Sequence, residues 1–468
     1  LISVFLFSEA FSYDNIKKDK KTIINSIESQ KDRLIEISDN IWEAAEPALL
    51  EFKSSKYLSD YAEENGFRVT RGVAEIPTAF VAEFGSGKPV IGILGEFDAN
   101  PGISQKKQPT KEPLVKGAAG HGCGHNLYGT GSLGAAIAIK EMIESGEISG
   151  TVRFYGTPAE ETIFAKVWMV RAGLFDDVDV CMDWHPSDEV EAATQSSKAL
   201  VDFRLRFFGD ASHASGDPWN GNSAVDAMEL YTTGLNYYRE HVRPTARIHY
   251  DIEKAGDVVN VVPDFAQIWT RLRENDKENV NILYERAKKI AEAASMMANV
   301  DYEMELISGI YEIIPNRFGA GIIQKNIESL GEIKYTEDEI NYANTILKET
   351  GKELKGIDSK IRPIRPTLPA QGGSTDVGDV SQVVPVVRMR ATAAAKDGPW
   401  HSWAVVACTG MSIGHKGMIY ASKALAMTML DLYKNPKLID GVKKEFIARK
   451  GDRVYVPQIP PGPPKLID

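Results

Sequence analysis

The apolar positions of this chain change their spacing several times along its length. From Lys20 to Gly66 they recur every three or four residues, which predicts two amphipathic helices. Short apolar runs bounded by turn residues predict strands at 89–95, 151–155 and 178–184, with a helix rich in small residues at 127–145. Because buried strands that alternate with helices are typical of parallel sheets, this pattern predicts a mainly parallel sheet between helices.

A second pattern, with strict alternation, begins near Ala199. Val201, Phe203 and Leu205 are separated by charged residues, as in a strand with one face in water. The following segments predict a helix, two strands, a helix and a strand, at 223–240, 247–250, 267–273, 283–294 and 302–307. The resulting β-α-β-β-α-β order is that of a split βαβ sandwich.

The two patterns together predict an α/β fold with an insertion. A larger domain at 20–197 and 313–468 contains the mainly parallel sheet, and a smaller α+β domain at 198–312 interrupts it. In the second part of the larger domain, the spacing predicts helices at 321–329, 337–355 and 417–433.

Residues 1–19 are set apart as a possible leader. The segment from Leu1 to Phe7 is nearly all apolar, and the small residues Ala10 and Ser12 follow, as at the end of a secretory signal. An ordinary terminal segment is the alternative. The pattern favours a periplasmic or secreted location, with a cytoplasmic location as the other possibility.

The charge balance narrows the range of partners. The formal net charge is -11 and the sequence pI is near 5.4, which argues against a nucleic-acid partner and favours a small-molecule substrate. No apolar run is long enough to predict a membrane span. Three cysteines, Cys123, Cys181 and Cys408, are too few to form a disulfide framework.

Two short motifs contain residues that suit metal chemistry. In Gly120–Asn126, the thiol of Cys123 and the imidazole of His125 are two residues apart, so both can reach one metal ion. A tight glycine-rich turn with a buried thiol is the alternative. Glu160 and Glu161 follow a predicted buried strand, where one carboxylate can bind a metal and the other can move a proton. Taken alone, such an acidic pair is more typical of a solvated surface.

Two further histidines are candidates for the same site. His185 ends a predicted buried strand, at the edge of the sheet where α/β proteins build their sites, and His401 lies in Pro399–Trp403. Each histidine alone is more often structural than a ligand. Combined with Cys123, His125 and Glu161, they form a sulfur, nitrogen and oxygen set that suits Zn²⁺ or Mn²⁺.

The order of these motifs resembles that of the dinuclear aminoacylase and carboxypeptidase G type metallopeptidases. It is most similar to the amidohydrolase branch with hippurate, indole-acetyl-amino-acid and aminobenzoyl-glutamate hydrolases, from about Ile41 to Tyr433. The resemblance implies that the larger domain is a metal-binding catalytic domain with two divalent ions, Zn or Mn. The implied ligands are Cys123, His125, Glu161, His185 and His401. Glu160 is implied as the general base for a hydroxide that bridges the two ions.

Two neighbouring positions differ in their implied roles. Many relatives outside this branch have a His-x-Asp motif where this chain has Glu96 and Asp98. Since Glu96 replaces the histidine, it is not among the expected ligands, whereas Asp98 is expected to orient a liganding histidine.

The insertion is implied to act as a lid and dimerisation domain. The resemblance predicts a homodimer in which His213 reaches the active site of the other protomer and stabilises the oxyanion, and Asn260 contacts the substrate. Without the resemblance, both residues read more readily as turn residues.

The function expected from these observations is metal-dependent amide hydrolysis. The substrate is expected to be an N-acyl amino acid, an aminobenzoyl-glutamate-like compound or a small dipeptide. One alternative is a thiol hydrolase with Cys123 as nucleophile and a histidine as base. The other is a metal-binding scaffold or sensor without catalysis, although such a protein has no need of Glu160.

Overall fold

The computed structural model describes residues 2–367, 369–370 and 372–466, with side chains from residue 16 onward. Leu1 and the side chains of residues 2–15 lie outside the described part, so the predicted leader and the location that follows from it stay predictions. Within the described residues, none of the helices combines the length and the hydropathy needed to cross a bilayer.

The described residues form eleven strands and twelve α-helices. The strands are β1 (Arg68–Arg71), β2 (Phe80–Ser86), β3 (Val90–Glu96), β4 (Gly150–Thr157), β5 (Val180–Ser187), β6 (Glu191–Ala192), β7 (Ala199–Phe208), β8 (Arg247–Ala255), β9 (Phe265–Glu274), β10 (Asp301–Ile310) and β11 (Val386–Thr392). The helices are α1 (Ile2–Ala44), α2 (Phe52–Glu64), α3 (His125–Glu144), α4 (Lys166–Arg171), α5 (Ala224–Tyr238), α6 (Lys277–Ala298), α7 (Arg317–Leu330), α8 (Glu337–Glu349), α9 (Val377–Val383), α10 (Trp403–Thr409), α11 (Ser412–Lys434) and α12 (Pro436–Lys450).

The larger sheet has seven strands in the order β1-β2-β4-β3-β5-β11-β6. Its centre is parallel, because β3 pairs in parallel with β4 and β5, and β5 with β11. The outer pairings, β1 with β2, β2 with β4 and β6 with β11, are antiparallel. The parallel centre was predicted, whereas the antiparallel edges were not, because β1, β2 and β6 gave no recognised pattern.

Helix α3 packs directly on the centre of this sheet. It also contacts α1 and α11, so it is buried on almost all sides. Its small residues allow this close approach: a Cβ on Gly129 would lie 2.6 Å from the backbone oxygen of Glu96. The first residue of α3, His125, therefore starts at the end of β3.

The insertion forms a separate four-stranded antiparallel sheet in the order β10-β7-β9-β8. Helices α5 and α6 pack against its strands around a core of their own. The β-α-β-β-α-β order agrees with the predicted one. The domain boundaries at 198 and 312 stay predictions.

Candidate metal centre

The predicted site residues converge at the carboxyl ends of the parallel strands. Asp98 follows β3, Glu160 and Glu161 follow β4, and His185 lies near the end of β5. In parallel α/β sheets this edge collects side chains from several strands. His125 joins them from the start of α3.

His125 is held by a carboxylate on one side and leaves its other nitrogen free. Its Nδ1 lies 2.8 Å from Oδ1 of Asp98, whereas its buried Nε2 has no hydrogen-bond partner. Burial alone would lower the pKa of His125, but the carboxylates of Glu96 and Asp98 raise it well above its usual value. The surroundings of Nε2 thus favour a positive charge, which either a proton or a metal ion supplies.

Cys123 and His185 form a second part of the site. The Sγ atom of Cys123 lies 3.4 Å from Nε2 of His185. Nδ1 of His185 donates to the backbone oxygen of Pro186 at 2.6 Å, which leaves Nε2 as the ligating nitrogen. Burial, with a smaller contribution from the Glu161 carboxylate, raises the pKa of the Cys123 thiol. Without a metal this thiol is therefore a poor nucleophile, which disfavours a thiol hydrolase.

Glu161 and His401 complete the cluster. The backbone amide of Glu161 donates to Oδ2 of Asp98 at 2.8 Å, and its Oε1 is buried without a hydrogen-bond partner. Nε2 of His401 lies 3.7 Å from Oε2 of Glu161. The chain thus brings Cys123 and His401 together, although they are far apart in sequence.

These donor atoms fit the group of metals that the sequence indicates. Three sets of side chains each have ligand atoms within 4.8 Å of one another: Cys123, His125 and His185; Cys123, Glu161 and His401; and Glu96, His125 and Glu160. The buried and unpartnered Nε2 of His125 and Oε1 of Glu161 are the donors that a cation would satisfy. Glu96, which was not expected among the ligands, lies in the third set.

Glu160 lies beside the cluster in a buried position. Burial and the neighbouring carboxylates of Glu96 and Glu161 raise the pKa of Glu160 well above its ordinary value. A carboxyl group with a raised pKa suits a residue that must accept a proton and later release it.

A buried lysine next to the cluster was missed by the sequence analysis. Nζ of Lys166 lies 2.6 Å from Oε1 of Glu96 and 2.7 Å from Oδ1 of Asp376, and all three side chains are shielded from solvent. The available signal was a single lysine inside the apolar run from Phe164 to Val170, where a charge requires a partner.

The cluster opens into a cavity of 760 Å³, a size that suits a small molecule. Its lining includes Glu160, His401, Arg271, Arg273, Arg388 and Arg390. Three of these arginines pair with carboxylates: Arg271 with Asp202 at 2.5 Å, Arg388 with Asp183 at 2.5 Å and Arg390 with Glu191 at 3.2 Å. Arg273 differs, because its buried Nε lacks a hydrogen-bond partner and no ion pair of Arg273 occurs within the described ranges. The sequence analysis did not single it out.

The two predicted lid residues lie together on the insertion and away from the cavity. His213 and Asn260 are exposed, and neither is among the described residues that line the cavity. The backbone amide of Ala214 donates to the oxygen of Asn260, which joins the two segments. Nδ1 of His213 accepts from the amides of Ser215 and Gly216 at 3.2 and 3.0 Å. A ring whose Nδ1 accepts carries its proton on Nε2, so Nε2 is available as a donor.

The fold and this cluster define a metallopeptidase of known type. The chain belongs to the peptidase family M20/M25/M40, whose sequence profile matches residues 92–404. It is 36% identical over 452 residues to one of the two p-aminobenzoyl-glutamate hydrolase subunits of Escherichia coli (strain K12), covering 90% of this chain and 94% of that protein. It is 29% identical over 441 residues to Xaa-Arg dipeptidase of Mus musculus, covering 91% of this chain and 92% of that protein. The predicted family and the predicted class of enzyme, a hydrolase acting on amide bonds, are confirmed.

Solved structures share the fold at low sequence identity. The aminobenzoyl-glutamate utilization protein from Klebsiella pneumoniae matches with a TM-score of 0.61 at 17% identity, over 87% of this chain and 98% of that one. A dinuclear metal binding peptidase of the M20 family from Bacillus subtilis matches with a TM-score of 0.59 at 18% identity, over 87% and 99%. The predicted fold class is thereby confirmed.

Proposed function

We propose that this chain hydrolyses the amide bond of an N-acyl amino acid or small dipeptide with the help of two divalent metal ions. The observation that carries the proposal is the convergence of Cys123, His125, Glu161, His185 and His401 beside the buried Glu160. When bound, such ions polarise the scissile carbonyl and make a water molecule acidic enough to lose a proton near neutral pH.

The protein's own groups then handle the proton and the developing charge. Glu160 accepts a proton from the attacking water and delivers it to the departing nitrogen, which its raised pKa suits. Nε2 of His213 donates a hydrogen bond to the oxyanion of the tetrahedral intermediate, since Nδ1 is held by backbone amides. Asp98 keeps His125 in the orientation that directs Nε2 toward the cluster.

Arg273 supports a substrate with a free carboxylate. Its guanidinium lines the same cavity as Glu160 and has an unpartnered buried Nε. Arginine binds carboxylates with charge-assisted hydrogen bonds, so a substrate carboxylate would satisfy this group. The names p-aminobenzoyl-glutamate hydrolase and Xaa-Arg dipeptidase both describe amides of an amino acid, whose substrates carry such a carboxylate.

A second protein chain completes the site in this proposal. Because His213 and Asn260 lie on the insertion outside the cavity, they serve the cavity of a partner chain, and we propose a homodimer joined through the insertion. Both differently named subunits of the Escherichia coli p-aminobenzoyl-glutamate hydrolase resemble this chain, which makes a different partner chain the alternative.

Metal content and turnover of two variants test the proposed function. Glu160→Gln should abolish turnover of a panel of N-acyl amino acids and dipeptides, with Zn²⁺ or Mn²⁺ added, and keep nearly full metal content. His185→Ala should lose metal, whereas His249→Ala, which removes an exposed histidine, should lose neither metal nor activity. Full activity in both Glu160→Gln and His185→Ala would contradict the assignment.

Chelation separates the remaining alternatives. A thiol hydrolase based on Cys123 keeps its activity after metal removal and loses it to iodoacetamide, the reverse of the expected result. A metal-binding scaffold turns over no member of the panel at all, and Glu160→Gln then changes nothing.

A further inference from the structure

The residue before Glu160 has an uncommon backbone conformation. Ala159 has a φ of 58°, in the left-handed region that L side chains rarely adopt. Such a conformation persists only where surrounding contacts hold it. The contacts of Ala159 therefore determine where the next side chain, Glu160, is placed.

A carboxylate from a distant part of the chain holds this residue. The backbone amide of Ala159 donates to Oε1 of Glu51 at 2.9 Å. The other oxygen, Oε2, accepts from the hydroxyl of Thr78 at 3.1 Å, and the Glu51 side chain is fully shielded from solvent. Both oxygens of Glu51 are thus engaged by fixed donors.

The position of Glu51 in its own helix makes this contact unusual. Glu51 is the N-cap residue of α2, yet its side chain makes no hydrogen bond to that helix. Glu46 takes over this task, because its carboxylate accepts from the backbone amides of Lys53 at 3.1 Å and Ser54 at 2.9 Å. Since the helix end is already satisfied by Glu46, the Glu51 carboxylate is free to bind Ala159.

The other side of Glu160 is held in a matching way. The backbone amide of Glu161 donates to Oδ2 of Asp98, so the amides on both sides of Glu160 bind carboxylates from different segments. We propose that Glu51 is a positioning residue that fixes the general base Glu160 through the backbone of Ala159. This inference rests on the proposed function, because it assigns Glu51 a task in the same reaction.

The consequence for catalysis is a selective effect on turnover. A displacement of about 1 Å at a reacting group can cost about 100-fold in rate. The side-chain oxygens of Glu51 bind Thr78 and Ala159 rather than any proposed metal ligand, and Glu51 does not line the cavity. Its loss should therefore lower kcat and leave substrate binding and metal binding intact.

Four variants test the inference on the full-length, metal-loaded enzyme. Glu51→Met fills a similar volume but accepts no hydrogen bond, and Glu51→Ala serves if the methionine variant does not fold. Glu51→Gln keeps a carbonyl oxygen for the amide of Ala159. Glu46→Ala is the matched control, because it weakens the start of the same helix α2 without contacting Ala159.

The expected results separate positioning from general stability. Glu51→Met should lower kcat by about 10- to 100-fold, with KM, metal content and the Kd of the released amino acid within about twofold of wild type. Glu51→Gln should recover most of kcat. Glu46→Ala should lower Tm about as much as Glu51→Met does but keep kcat.

Each opposing result has a distinct meaning. If Glu51→Met keeps full kcat while Glu160→Gln is inactive, the positioning role is wrong and the proposed function stands. A loss of kcat in Glu46→Ala equal to that in Glu51→Met would also overturn the inference, because the effect would then follow from the stability of α2. If Glu160→Gln itself remains active, the proposed function fails first.

Discussion

Oδ1 of Asp98 lies 2.8 Å from Nδ1 of His125, and neither side chain is exposed to solvent. The same carboxylate also accepts from the amide of Glu161, so one side chain orients two proposed metal ligands. Because such supporting contacts fix the ligand geometry, Asp98→Ala should lower metal affinity by about 10- to 100-fold. Competition with a chelator of known affinity measures the change.

The control for this prediction is another aspartate that contacts a histidine. Oδ1 of Asp39 lies 3.2 Å from Nε2 of His415, outside the cluster. Asp39→Ala should leave metal affinity unchanged. Equal losses in Asp98→Ala and Asp39→Ala would show that the effect is not local to the site.

Lys166 should make a large contribution to stability, because it neutralises two buried carboxylates. Replacing Lys166 by Met leaves Glu96 and Asp376 buried without a cation, which should lower the free energy of unfolding by about 3–5 kcal/mol. Urea unfolding of the metal-free protein measures this loss without a contribution from bound ions. Lys56→Ala, which breaks the exposed pair with Asp60, should cost about 0.5 kcal/mol or less. A similar small cost for Lys166→Met would contradict the prediction.

The carboxylate of Glu339 should make part of the stability depend on pH. Partial burial alone would raise the pKa of Glu339, but hydrogen bonds from Lys416 and Ser412 lower it below its ordinary value. A lowered pKa in the folded state gives stability that is complete above the unfolded-state pKa and is lost as the pH falls through the folded-state pKa. Glu339→Gln should therefore destabilise the protein at pH 7, and its difference from wild type should shrink toward pH 3.

Urea unfolding midpoints measured from pH 7 to pH 3 check this dependence. Glu337→Gln removes an exposed carboxylate from the same first turn of α8 and should leave the profile unchanged. A difference between Glu339→Gln and wild type that stays constant with pH would exclude the charge of Glu339 as its cause.

The sequence predicted the residues of the cluster better than the residues that support it. Glu160, Glu161 and His185 were recognisable because they follow apolar strand patterns, and the carboxyl ends of parallel strands share one edge. Glu51 gave no such signal, since its partner Ala159 is distant in sequence and only the tertiary fold brings them together. Arg273 was hidden in an alternating strand, where a charge is typical of the solvated face.

Local backbone geometry explains the main errors in the predicted elements. The helix predicted at 337–355 ends at Glu349, because Gly351 adopts a φ of 69° and breaks the helical path. Strand β11 was not predicted, since its sequence from Val386 to Thr392 mixes apolar residues with two arginines. Its place in the sheet depends on pairing with β5, which lies about two hundred residues earlier in the chain.

Complementation between two inactive variants tests whether His213 acts across the interface between two protomers. His213→Ala lacks the oxyanion donor and Glu160→Gln lacks the base, so each homodimer should be inactive. If the lid of one protomer serves the cavity of its partner, a mixed dimer contains one site with both wild-type groups. After exchange of protomers at equal concentrations, about half of the dimers are mixed, and about a quarter of wild-type activity should return.

The same mixture also distinguishes the competing geometries. If His213 served the cavity of its own chain, every mixed dimer would contain one site without the base and one without the oxyanion donor, and no activity would return. The exposed position of His213 and its absence from the described cavity lining favour the first outcome. As a control, a mixture of His213→Ala with Asn260→Ala should restore little, because both residues lie on one lid and therefore serve the same cavity. Each site of the mixed dimer then lacks one of the two groups.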